Sequence, residues 1–151
     1  MSHTTSIKAI KIQSITALQS AIAELKQGGM PIALIPNATP RSYYTAHGKT
    51  QEGMGKADYV VELGGGCRYD IGLYKSDDGY EARTDFWKGD VEKVLGATAR
   101  SKENAEQAKM GKLFQMYGTH ATMEQCRRAG QSVRRTTKAD GTMALEITGN
   151  M

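Results

Sequence analysis

The chain has 151 residues, 39% apolar and 24% charged, with 20 basic against 16 acidic side chains and a formal charge of +4. These proportions exclude a disordered tract and leave length for one buried core, so a single α+β domain over residues 1–151 is expected. No stretch approaches the roughly 20 apolar residues that span a bilayer, and the start Met1-Ser2-His3 lacks a basic and apolar leader. A cytoplasmic protein without a membrane partner is the expectation.

Residues 6–12 are rich in β-branched side chains and read as a first strand. Ser14 then caps a helix in which Ile15, Leu18, Ala21, Ile22 and Leu25 recur on one face, and Gly28-Gly29 stops it. Residues 31–36 hold Ile32, Leu34 and Ile35 between prolines, the pattern of a short strand at a sheet edge. Residues 37–56 lose all periodicity and read as one long loop, a length that compact domains reserve mainly for function.

Residues 57–63 form a strand, Gly64-Gly65-Gly66 turns the chain, and residues 69–75 make the next strand. Asp78-Gly79 signals a hairpin, with residues 80–87 returning. Asp90 can cap a helical turn containing Val91, Val94 and Leu95. Met110, Leu113, Phe114, Tyr117 and Ala121 follow helical spacing up to Gly130. A last hairpin joins residues 132–137 to 142–148 around Asp140-Gly141, with Met143, Leu145 and Ile147 on one face. The order predicts an α+β fold, an antiparallel-rich sheet of six to seven strands packed against two main helices.

The block Tyr69-Asp70-Ile71-Gly72-Leu73, with Ala57-Asp58 before a strand, the later Tyr80 and Asp85, and the Asp140-Gly141 hairpin, resembles domain-of-unknown-function family twelve-fifty-seven. Plastid and cyanobacterial members of that family are called hypothetical chloroplast reading frame thirty-five. The resemblance covers roughly residues 1–36 and 57–148; residues 39–55 read as an insert. The stretch from Leu113 to Gly118 looks like the longer bacteriophage versions, which implies a phage- or bacterial-type member, in the host cytoplasm if viral. The family brings no established activity. Its bacterial members often neighbour genes for AAA-type ATPases, which implies an adaptor or accessory role.

A two-residue Asp78-Gly79 loop would pair Asp77 with Tyr80, Ile71 with Phe86 and Leu73 with Thr84. Ile71, Leu73, Ala82 and Thr84 then share a core face, and Asp70, Tyr74, Arg83, Asp85 and Trp87 the opposite one. Asp70 and Asp85 there are candidate acid–base partners or ligands of a hard cation; equally, they form a solvated Asp–Arg pair beside Trp87. The three glycines do not make a phosphate cradle, because a strand rather than a helix follows them.

Two basic groups remain. Arg41, Tyr43, Tyr44, His47 and Lys49 mix rings that can stack on bases with cations that can meet phosphates. Arg127, Arg128, Arg134 and Arg135 belong to an acid-free run over residues 127–138, although Arg134 and Arg135 must point to opposite faces of a strand. His120 reads as a helix-face residue, and the methionines at 110, 116 and 123 as packing. Cys67 and Cys126 cannot supply the roughly four ligands of a structural zinc site, so neither metal nor other cofactor is expected.

The leading expectation is a non-enzymatic accessory module that contacts nucleic acid, a nucleotide-like anion or a protein partner through residues 41–56 and 127–138. The alternatives are a small hydrolytic or metal-assisted enzyme using Asp70 and Asp85, and an adaptor of an AAA-type ATPase. Composition does not specify an oligomeric state.

Overall fold

The computed structural model describes residues 4–41, 55–85, 90–96, 111–137, 139 and 143–149. Strand β1 (Thr4–Ile12) leads into helix α1 (Ile15–Gln27), followed by β2 (Ile32–Ala38), β3 (Ala57–Leu63), β4 (Ile71–Ser76) and β5 (Gly79–Asp85). A short helix α2 (Asp90–Leu95), a long helix α3 (Gly111–Arg128) and the ribbon β6 (Ser132–Thr137)–β7 (Met143–Thr148) complete the order. The expected strands are present, distributed over two sheets: five in the order β1-β5-β4-β3-β2, and β6-β7 as a separate pair.

Helix α1 forms for the reasons its sequence gives. The Ser14 side chain accepts the Ala17 N–H at 3.1 Å, which satisfies one of the orphan donors of the first turn. Ala17, Leu18, Ala21, Ile22 and Leu25 are buried on one face, and Gly29 takes a φ of 99° where the helix stops. That face packs with Ile32, Val61, Leu63, Ile71, Leu73 and Ala82 of the large sheet and Leu113, Phe114 and Tyr117 of α3. The Tyr117 hydroxyl accepts the N–H groups of Gln13 and Ser14 at 2.9 and 3.2 Å, so α3 fixes the corner between β1 and α1.

β2 does lie at an edge of the sheet, and β1 lies at the other. All neighbouring strands are antiparallel, and four such steps leave β1 and β2 running parallel, so α1 crosses over between the two edge strands and not between hydrogen-bonded neighbours. The triglycine segment is a turn between β3 and β4, with the Cys67 N–H bonded to the Gly64 carbonyl at 3.2 Å.

The β4–β5 hairpin departs from the expected register. Ser76 pairs with Gly79 and Leu73 with Ala82, so Asp77-Asp78 is the two-residue loop and Gly79 begins the return strand. The cause lies in β1. A bulge between Ile7 and Ile12 brings the end of β1 across the start of β5, and a β-carbon on Gly79 would sit 2.5 Å from the Ile12 carbonyl oxygen. Gly79 also has a φ of 129°. Because the register moves by two residues, side chains keep their faces: Ile71, Leu73, Ala82 and Thr84 are all fully buried.

Gly79→Ala should therefore destabilise the protein by about 2 kcal/mol, through both the φ angle and the collision with Ile12. Urea unfolding followed by circular dichroism measures this, with Gly66→Ala as a comparison: it shares the positive φ but meets nothing within 4 Å.

Candidate functional site

Asp70 sits where the chain leaves the triglycine turn and enters β4, and it is 3% exposed. A buried carboxylate is costly unless charge and hydrogen bonds compensate it. Here Oδ2 accepts from the backbone N–H and the Nε of Arg41 at 2.9 and 3.0 Å. Oδ1 accepts from Arg41 Nη2 at 2.7 Å and from the Leu63 N–H at 3.2 Å. The backbone adds to the clamp: the Asp70 N–H donates to the Arg41 carbonyl, and Thr84 Oγ1 donates to the Asp70 carbonyl at 2.9 Å. The carboxylate beside it raises the pKa of Arg41 above the ordinary guanidinium value. Arg41 Nη2 also reaches the Leu63 carbonyl. Two residues expected at separate sites, Arg41 on a basic loop and Asp70 on a hairpin face, thus hold each other.

Arg83 is placed elsewhere. Its guanidinium carbon lies 4.6 Å from the centre of the Tyr74 ring, and its Nε is 3.5 Å from Glu81. Tyr74 lies over Gly72, where a β-carbon would be 2.7 Å from the ring, and its hydroxyl donates to the Gly55 carbonyl at 2.8 Å. Burial pushes the Tyr74 phenol up to about 12, with the Arg83 charge acting in the opposite direction. Tyr43, Tyr44, His47, Lys49, Phe86 and Trp87 lie outside the described residues, as does the side chain of Asp85.

The run over residues 127–138 is acid-free in sequence but not in space. Glu124 Oε1 is 3.1 Å from Arg128, and Glu146 stands opposite Arg134 across the ribbon. Arg135 turns to the other face, as strand alternation requires, and meets Glu24 of α1. This meeting builds a second polar cluster. Arg135 Nη1 donates to Glu24 Oε1 at 2.7 Å, Nη2 donates to Oε2, and Nε2 of His120 stands 3.0 Å from Oε1.

The Arg135 hydrogen bond holds the Glu24 carboxyl down to about 2 against a smaller opposing effect of burial, and the His120 hydrogen bond adds in the same direction as Arg135. In return the pKa of Arg135 rises. Glu24 and Arg135 also border a cleft of about 630 Å³. Sequence reasoning singled out Arg135 and read His120 as a helix-face residue, and it missed their joining through Glu24, which no local spacing signals.

The comparisons agree with the resemblance carried by the Tyr69–Leu73 block. A family model described as a protein of unknown function, DUF1257, matches residues 32–145. The chain belongs to the DUF1257 family. The match takes in residues 39–55, which the sequence presents as an insert, and leaves residues 1–31 outside. Neither the curated proteins nor the solved structures give a match. Among the described residues no group of His, Cys, Asp or Glu is arranged to hold a metal ion, and no helix is long and apolar enough to cross a membrane.

Asp70→Asn should cost about 3 kcal/mol in unfolding free energy, because it leaves Arg41 without its charge partner and replaces an acceptor oxygen by a donor. Chemical denaturation at neutral pH reads this loss. For Glu24, the folded pKa lies below the ordinary 4.5, so its stabilisation is present above pH 4.5 and fades as pH falls towards 2. Allowing for partial exposure, the effect is about 2 kcal/mol. Glu24→Gln should flatten the stability profile across that window, measured by urea unfolding at pH 5, 4 and 3.

Proposed function

We propose that this DUF1257 domain is a non-enzymatic accessory module that binds the phosphate backbone of single-stranded nucleic acid. One observation carries the reading: α3 and β6, joined by three residues, bear five cations, of which Arg128 pairs with Glu124 and Arg135 with Glu24, so that Lys112, Arg127 and Arg134 remain in excess. Arg127, Arg128 and Arg134 are exposed. Arg127 and Arg134 carry no ion pair among the described residues, so neither must give up a partner before meeting a phosphate. Arginine suits that contact because its planar fork matches phosphate oxygens.

The Gln131 N–H bonds to the Cys126 carbonyl at 2.9 Å, which fixes the ribbon against the end of α3 and holds the two groups of arginines in one arrangement. A cationic surface of this kind recognises backbone rather than sequence. Its affinity then follows the release of counterions.

Fluorescence polarisation with a labelled single-stranded oligonucleotide across a salt series tests the proposal. Affinity should fall steadily with salt on a log–log plot, by a slope of about 0.7 per phosphate neutralised. The double variant Arg127→Glu, Arg134→Glu should weaken binding at least about tenfold and reduce the slope. Absence of binding at low salt, or an affinity indifferent to salt, would sink the reading.

A further inference from the structure

We infer that the cleft between the end of α1, α2 and the first turns of α3 is a binding site for a phosphate monoester carried on a compact apolar body. The cleft holds about 630 Å³, within the range of small-ligand sites. Its lining is mixed in chemistry. Met30, Pro31, Val94 and Met116 give one apolar wall, and Met30, Val94 and Met116 are themselves packed against the core. That wall is set by the fold. Thioethers on it offer polarisable surface to a flat or aromatic body.

Lys112 and Arg135 supply the cationic side. The Arg135 fork is held in place by Glu24, and this pairing uses two of the five N–H donors of a guanidinium. The others remain for a ligand, on a group whose position is already fixed. The Lys112 stem runs over Gly96, with Cε 3.2 Å from where a β-carbon on that glycine would stand, and Lys112 is among the residues that line the cleft. Lys112 is exposed and has no ion pair among the described residues.

Glu24 cancels the charge of Arg135, so the lining residues keep a net positive charge through Lys112. An anionic head is therefore favoured there. A phosphate monoester has three terminal oxygens, each an acceptor for charge-assisted hydrogen bonds from cations such as those that line the cleft. The apolar wall distinguishes this site from a simple anion site, since an inorganic ion would leave Met30, Val94 and Met116 facing water.

Ligand-detected NMR and calorimetry on the full chain, with phenyl phosphate and AMP as probes, test the inference. Inorganic phosphate and adenosine serve as the two halves. Both monoesters should bind at least about tenfold more tightly than either half. Lys112→Glu should weaken them about tenfold, and Gln115→Trp, which places a ring at an exposed lining position, should block them. The double variant Arg127→Glu, Arg134→Glu should leave this binding unchanged, which separates the cleft from the exposed arginines.

Adenosine binding as well as AMP would overturn the anionic head, and phosphate binding as well as the esters would overturn the apolar body. No saturable binding of either monoester at millimolar concentration, or binding indifferent to both cleft variants, would overturn the site. Thermal unfolding of each variant checks that the fold survives. Because Lys112 and Gln115 are exposed, both should melt with the parent protein.

Discussion

The buried carboxylate of Asp70 is the constraint on which the large sheet depends. It stands between the triglycine turn and β4, and its bonds reach three other parts of the chain. Leu63 donates from the end of β3, Arg41 from beyond β2, and Thr84 of β5 bonds its carbonyl. One residue thus ties the ends of strands that are distant in sequence but adjacent in the sheet. The arrangement is stable only as a set. Removing Arg41 would leave a charge in the core, whereas removing Asp70 would leave Arg41 without its partner.

That role also explains the block that carries the family resemblance. Tyr69 and Ile71 are buried, Asp70 is clamped, Gly72 leaves room for the Tyr74 ring, and Leu73 is in the core. Each position has a reason in the fold. The Asp70 carboxylate accepts four hydrogen bonds, all from within the protein, and through them this block ties strands together.

Local signals made much of this legible. The Ser14 cap, the spacing of Leu18, Ala21, Ile22 and Leu25 and the glycine pair define α1 without reference to the rest of the molecule. Alternation likewise assigns Ile71, Leu73, Ala82 and Thr84 to the core, and those faces survive the changed register because a shift of two preserves parity. The register itself was not legible. Asp78-Gly79 is a sound turn signal, but the glycine is needed for the approach of the Ile12 carbonyl, a tertiary demand. Arg41 with Asp70, 29 residues apart, and Glu24 with Arg135, 111 apart, are invisible to any local window for the same reason.

The same long-range pairing changes how the charge of the molecule should be read. By sequence, residues 127–138 are a cationic run; in the fold, Arg128 meets Glu124 and Arg135 is held by Glu24, while Arg134 stands across the ribbon from Glu146 without an ion pair among the described residues. Pairing does not remove these groups from recognition. Arg128 is exposed in its pair with Glu124, and such a surface contact is worth little and can be exchanged for a phosphate. Arg135 is different, because Glu24 binds it through both terminal nitrogens and stays ionised down to about pH 2. Its charge is balanced while its direction is fixed. The excess cationic charge then rests on residues that α3 and β6 leave exposed, Lys112, Arg127 and Arg134, and Arg135 contributes geometry beside them.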